Sequence, residues 1–319
     1  MDGHPGQRGA PSPWLPGAPC TPGDCAGHGR TVSAPTAAAR LSAGLLTVLA
    51  GVLIAPVAAL VAAAAGRRTG TRLRHRAAAR WSRAVLGALG VRVRITGHPG
   101  APGALVVANH ISWLDIPLIA AVLPGRMLAK AEIARWPVLG ALAAGGGTVF
   151  LERDRLRTLP GTVRTMASAL AQGARIVAFP EGSTWCGRRQ GRFRHAVFQA
   201  ALDAGAAVQP VRVTYRPTAA AAFVGDDTLP ASLWRVARAG GLTAEIRLLP
   251  VIPAGSHPDR RSLARAAERA VRGSGPPPSP GRRTHPGTVA SESANLPAES
   301  VHHRASSMSA AASSARTPS

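Results

Sequence analysis

Apolar residues along the chain fall into short β-rich runs separated by longer stretches with helical spacing. From about residue 90 onward, Val91–Thr96, Ala104–Ala108, Arg126–Ala129, Thr148–Leu151, Arg175–Phe179, Ala207–Tyr215 and Leu242–Leu249 read as strands. Between them, residues 113–123, 132–144, 157–172, 193–204, 231–239 and 261–272 read as helices. Strands interleaved with helices predict an α/β layer structure: a mixed, mostly parallel sheet covered by helices. In such sheets chemistry collects just beyond the carboxyl ends of the strands.

The pattern is missing at both ends. Residues 1–38 are rich in Gly, Pro and small polar residues and are expected to be disordered. The same expectation holds for 273–319, which open on Gly-Ser-Gly-Pro-Pro-Pro and continue as a Ser/Ala-rich tail. Leu41 to Ala65 carries no charge over 25 positions. At about 1.5 Å per residue that run can cross an acyl core of about 30 Å. Its many alanines and Pro56 weaken insertion, so spanning, lying embedded in the surface, and packing as a core helix all stay open. Arg67, Arg68, Arg72, Arg74, Arg76, Arg80 and Arg83 follow with no acidic residue among them. Such a flank places everything after residue 66 on the cytoplasmic side of the cell membrane, and it would bind an anionic leaflet. The expected order is thus a disordered segment (1–38), a membrane helix (41–65), a folded domain with a basic juxtamembrane stretch (66–272) and a disordered tail (273–319).

Composition narrows the partners. Lys and Arg number 38 against 15 Asp and Glu, a net charge of +23, which attracts nucleic acid, anionic lipid or phosphorylated, CoA-like molecules. Aromatics make up only 4% of the chain, with one Tyr and five Phe, too few for base-stacking platforms. With no recognisable nucleic-acid module either, nucleic acid is not the expected partner. Frequent proline and a charged fraction of 17% exclude a long coiled coil, and a single long apolar run excludes a polytopic transporter. Cys20, Cys25 and Cys186 cannot build a disulfide framework. Cys20-x4-Cys25-x2-His28 fits no common zinc spacing, so no metal site is expected.

Candidate chemistry sits where strands end. Asn109-His110-Ile111-Ser112-Trp113-Leu114-Asp115 follows the strand Ala104–Ala108 directly. Ser112 and Asp115 have capping-box-like spacing and Pro117 suits a first helical turn. Asp115 could then fold back onto His110, where a carboxylate on one ring nitrogen fixes the tautomer and raises the basicity of the other. Capping alone would also explain Asp115. No Gly-x-Ser-x-Gly elbow accompanies the pair, so direct attack by an acceptor hydroxyl, deprotonated by His110, is the economical chemistry. The strand Ile176–Phe179 ends in Pro180-Glu181-Gly182-Ser183-Thr184, a turn able to hold a hydroxyl or a phosphate. Lys130 and Arg153 stand at two further strand ends, where an anionic substrate would arrive, although either could be a solvated surface charge. Gly145-Gly146-Gly147 matches no Walker or dinucleotide pattern.

Together these segments resemble the glycerolipid acyltransferases, in particular the 1-acyl-glycerol-3-phosphate acyltransferases. That family carries Asn-His-x4-Asp, then Gly…Phe-x-x-Arg, then Phe-Pro-Glu-Gly, then an apolar strand with proline. The chain matches with Asn109-His110…Asp115, Gly147…Phe150-Leu151-Glu152-Arg153, Phe179-Pro180-Glu181-Gly182 and Val208-Gln209-Pro210-Val211, in that order. The resemblance implies that His110 is the base and Asp115 its partner. It implies that Lys130, Arg153 and the turn of Glu181, Gly182, Ser183 and Thr184 hold the acceptor's polar head. It further implies acyl-CoA or acyl carrier protein as co-substrate, no cofactor or metal, and a membrane lipid acceptor in phospholipid synthesis. One departure concerns the acceptor: Ser183-Thr184 replace the frequent Thr-Arg. With Val224-Gly225-Asp226-Asp227 and Leu233-Trp234, they also resemble the lyso-ornithine lipid acyltransferase branch.

Overall fold

A computed structural model describes residues 17–273 except 28, 101, 153 and 154. The seven strands are β1 (Arg92–Thr96), β2 (Leu105–Ala108), β3 (Arg126–Lys130), β4 (Val149–Leu151), β5 (Ile176–Ala178), β6 (Val208–Arg216) and β7 (Thr243–Leu248). They form one sheet of order β1-β7-β6-β2-β5-β3-β4, parallel at every pairing except the antiparallel β6–β7. The helices are α1 (Pro22–Cys25), α2 (Ala34–Ala64), α3 (Arg67–Ala88), α4 (Asp115–Val122), α5 (Pro137–Gly145), α6 (Leu159–Ala171), α7 (Ala196–Asp203), α8 (Thr218–Ala221), α9 (Leu229–Arg238) and α10 (Arg260–Arg272).

Strand periodicity sorts the core into two layers, because successive side chains point to opposite faces of a sheet. Val106, Ala108, Val177, Val211, Val213 and Tyr215 pack with Leu86 of α3, Leu118 and Ile119 of α4 and Val236 of α9. Leu105, Val107, Ile176, Ala178 and Val208 pack with Met166 and Leu170 of α6, Phe198 of α7 and Leu263 of α10. Strand β2 lies near the centre and is buried over its whole length. A strand covered on both faces reads as an unbroken apolar run rather than an alternating one.

Several elements differ from expectation. The predicted helix 132–144 is a 3₁₀ turn (Ala131–Arg135) followed by α5, because Pro137 drives Trp136 into an extended conformation, ψ 125°. The segment placed in 1–38 as disordered is ordered from residue 17. It contains α1, and α2 already begins at Ala34 behind the Ser33 cap. Its backbone is held by the folded domain: Gly27 N–H donates to Ala219 O, Val32 N–H to Arg238 O, and Gly240 N–H to Arg30 O. Residues 1–16 and 274–319, where the rest of the two disordered ends was expected, lie outside the described residues.

The uncharged run sits inside the longer helix α2, and the basic stretch after it is itself helical. The two helices pack antiparallel. Added Cβ atoms at Gly44, Gly51 and Gly70 would fall 3.1 Å from Leu89, 2.2 Å from Trp81 and 1.9 Å from Ala62 O. Trp81 Nε1 donates to Thr47 O at 2.8 Å. Seven arginines hid α3's packed apolar positions (Trp81, Val85, Leu86) from the sequence pattern. The opposite side of α2 faces outward, with Leu46, Leu53 and Leu60 exposed by 65%, 76% and 70%. Arg40 ties the hairpin to the sheet domain by donating to Ala237 O and Ala239 O at the end of α9.

Candidate active site

The site begins where β2 leaves the sheet. Asn109 is buried and its amide clamps Val213 of β6 in both directions, accepting from its N–H at 2.8 Å and donating to its C=O at 2.9 Å. That clamp fixes the backbone from which His110 projects. Asp115, at the first turn of α4, folds back. Its Oδ2 accepts from Ile111 N–H at 2.7 Å, from Ser112 N–H at 3.0 Å and from His110 Nδ1 at 2.8 Å. The capping expectation and the histidine expectation are therefore met by one carboxylate oxygen. Ser112 Oγ accepts from Leu114 N–H at 3.3 Å.

Tyr215 completes this arrangement from 100 residues away. Its hydroxyl donates to Asp115 Oδ1 at 2.6 Å. It is the chain's single tyrosine, and the sequence offered only its place at the end of a strand. Burial, joined by the Asp115 charge, pushes the phenol well above its ordinary range, so the hydroxyl stays a donor. Phe179 lies flat against the imidazole, ring centroids 4.0 Å apart and planes 15° from parallel. Asp115 is fully buried and the His110 side chain is 18% exposed. Among the described residues, the second ring nitrogen of His110, Nε2, has no hydrogen-bond partner.

Glu181 departs from the expected head-group contact. Its carboxyl is buried, with Oε2 accepting from His110 N–H at 2.7 Å and Oε1 from Gly191 N–H at 3.0 Å. Burial pushes it up to about 8, assisted by the nearby Asp115 charge and opposed by the two N–H bonds and Arg272. Its place is beneath His110, bracing the backbone rather than facing a ligand. Gly182 turns the chain with φ +77°, a conformation that glycine adopts without a Cβ clash. Ser183 and Thr184 follow, half-buried, and Trp185 N–H then donates to His110 O at 2.7 Å. The loop after the turn thus returns to hold His110 a second time.

Strands β2, β5, β3 and β4 are adjacent and parallel, so His110, the Glu181 turn and Lys130 lie along one edge of the sheet. With strands about 4.8 Å apart, Lys130 stands about 10 Å along that edge from His110. Lys130 is exposed, and Arg153 lies outside the described residues. Asp227, noted in the sequence for its motif, instead forms a buried pair with Arg235 at 2.5 Å. Arg235 also donates to Ser232 Oγ, which accepts from Trp113 Nε1, so this network seats α9 against the start of α4. The surface clefts lined by Arg126 and Arg164, and by Arg212 and His257, include none of the residues around His110.

The geometry provides an imidazole whose Nδ1 proton is held by a buried carboxylate and whose Nε2 is left to accept a proton. Such a nitrogen can deprotonate a hydroxyl that reaches it. Comparison with known proteins gives the same direction. The family model described as Acyltransferase matches residues 91–214. Lyso-ornithine lipid O-acyltransferase of Pseudomonas aeruginosa is 40% identical over 206 residues, covering 63% of this chain and 79% of that protein. The 1-acyl-sn-glycerol-3-phosphate acyltransferase of Neisseria meningitidis is 37% identical over 207 residues, covering 62% and 80%. The crystal structure of the 1-acyl-sn-glycerophosphate acyltransferase PlsC from Thermotoga maritima shares the fold, with a TM-score of 0.54 and 21% identity over 73% of this chain and 95% of that one. The motifs at the strand ends, the fold they sit on and the relatives matched over most of their length agree that the chain is an enzyme and belongs to the acyltransferase family.

Proposed function

We propose that the protein transfers a fatty acyl group from a thioester, acyl-CoA or acyl carrier protein, to a hydroxyl of a lysolipid at the membrane surface. The observation that carries this is the His110–Asp115 pair at the C-terminal end of β2. His110 Nε2 takes the acceptor proton as the hydroxyl oxygen attacks the thioester carbonyl carbon. The resulting imidazolium is stabilised by Asp115, whose second oxygen is held by Tyr215. The C–S bond then breaks, the thiolate leaves, and the imidazolium returns the proton to it. The products are an ester and a free thiol. Phe179 and Tyr215 hold the pair in register, and Lys130 and Arg153 are proposed to hold the acceptor's anionic head.

The leading acceptor is 1-acyl-sn-glycerol-3-phosphate, giving phosphatidate for phospholipid synthesis. Lyso-ornithine lipid is the second reading. It is favoured by the 40% identity to the Pseudomonas aeruginosa protein of that name and by Ser183-Thr184 in place of an arginine at the turn. Membranes carrying the wild-type chain, given one thioester donor and either acceptor, separate the two. Acyl transfer that is equal in wild type and His110→Ala would overturn both.

The hairpin supports attachment within one leaflet. Helix α3 runs back along α2, so Arg72, Arg74, Arg76, Arg80 and Arg83 lie beside the length of α2 that a span would need. Arginine at the bilayer centre costs about 2.5–3.5 kcal/mol per residue. The pair instead lies in the interface, with Leu46, Leu53 and Leu60 among the acyl chains and the arginines at anionic head groups. The arginines favour the anionic cytoplasmic leaflet of the cell membrane.

A further inference from the structure

The chain has three cysteines, and all three meet. Cys20 and Cys25 bracket the single turn α1, where Cys25 N–H donates to Thr21 O and the Thr21 side chain caps Asp24 N–H. Cys186 comes from the loop that follows the Glu181 turn, one residue after Trp185. Their sulfurs lie within 4.8 Å of one another, and all three residues are buried. Apolar packing alone would not call for this chemistry, since any small side chain could fill the space beside Val224 and Ala18. A cationic group stands beside them: the Arg188 guanidinium donates to Asp24 O, next to Cys25, at 2.5 Å.

We propose that Cys20, Cys25 and Cys186 bind a zinc ion that clips the segment ahead of the membrane hairpin onto the loop supporting His110. Zinc–sulfur bonds of about 2.3 Å in a tetrahedron put the sulfurs about 3.8 Å apart. Sulfurs within 4.8 Å of one another need to close by about 1 Å at most to meet that spacing. Three thiolates around Zn²⁺ carry a net charge of −1, and the Arg188 guanidinium neutralises it. Water completes the tetrahedron. A disulfide fits less well: it would join two sulfurs and leave the third unused. Four residues separate Cys20 from Cys25, a spacing that zinc-binding cysteine pairs use, and the third ligand comes from a loop 161 positions after Cys25.

The clip bears on the active-site loop. Trp185, beside Cys186, holds His110 O, and Gly191 further along holds Glu181. Binding is independent of which lysolipid the enzyme accepts, so metal content tests it without an activity assay. The full chain, purified in detergent without a histidine tag, is expected to carry about one zinc per chain by elemental analysis. Cys20→Ser and Cys25→Ser, both distant in sequence from His110, are each expected to lose it, as is Cys186→Ser. Cobalt loaded into the wild-type chain should give a thiolate-to-cobalt charge-transfer band, a readout that needs no variant to fold. Added chelator should lower the unfolding temperature of the wild type but not of the triple serine variant. Zinc content equal in wild type and the triple variant, no charge-transfer band with cobalt, or a disulfide among these cysteines in the intact mass would each overturn the proposal.

Discussion

Replacing Asp115 by asparagine keeps the shape of the side chain and removes its charge. Three N–H donors, from His110, Ile111 and Ser112, converge on Oδ2, whereas Oδ1 accepts only from Tyr215. The three donors decide how the amide settles. Its carbonyl oxygen takes the Oδ2 position and its NH2 faces Tyr215, whose hydroxyl turns to accept. His110 then keeps its proton on Nδ1, and Nε2 remains the basic nitrogen. What disappears is the charge on the acceptor, so a bond of about 1.5–3 kcal/mol becomes a neutral one of about 0.5–1.5 kcal/mol. At about 1.4 kcal/mol for each factor of ten, a difference of about 1–1.5 kcal/mol should lower kcat about 5- to 12-fold. His110→Ala, which removes the base itself, should sit at the upper end of the 10²–10⁴ range of a general base or beyond. The assay follows release of free thiol from one acyl thioester with a lysolipid in mixed micelles, with thermal unfolding run in parallel. Asp115→Asn equal to wild type would refute the partnership with His110. A loss as deep as that of His110→Ala in a folded variant would refute the orientation derived from the three donors.

Three further outcomes are expected. Tyr215→Phe removes the donor to Asp115 Oδ1 inside the core, so stability should drop by about 1.5–3 kcal/mol and activity by less than in Asp115→Asn; unchanged denaturant unfolding would count against it. Glu181, raised from its ordinary 4.5 to about 8, keeps its proton in the folded state over a window where the unfolded chain has lost it. Its contribution to stability is complete below about pH 4.5 and declines as pH rises to about 8, by at most about 1.4 kcal/mol per pH unit. Glu181→Gln should flatten that decline in unfolding measured at several pH values, and an identical slope in both chains would contradict the burial argument. Replacing Leu46, Leu53 and Leu60 together by serine touches no core contact, yet forfeits about 1.5–3 kcal/mol of burial at each position. The variant should move from the vesicle pellet to the supernatant in sedimentation, and unaltered pelleting would exclude this face as the anchor.

The legible parts of the chain were those whose cause is local. The strands announced themselves because β2 and β5 are covered on both faces and so run apolar without a break. The His110–Asp115 pair was readable because five positions separate its members and a helix start fixes their approach. Tyr215 was not readable, since only the parallel pairing of β2 with β6 brings it to Asp115. Glu181 was visible as a motif but not as a buried brace: that role arises from His110 and Gly191 turning their N–H groups inward. Residues 17–33 were misjudged for a related reason. Their composition speaks to how little surface they can bury among themselves, whereas Ala219, Arg238 and Gly240 supply the partners from elsewhere in the fold.

The bond from Arg40 to the last carbonyls of α9 has a consequence for regiochemistry. It welds the greasy hairpin to the sheet, so His110 stands at a set height above whatever layer the hairpin occupies. Under the attachment proposed above, that height would set which acceptor hydroxyls can reach the imidazole.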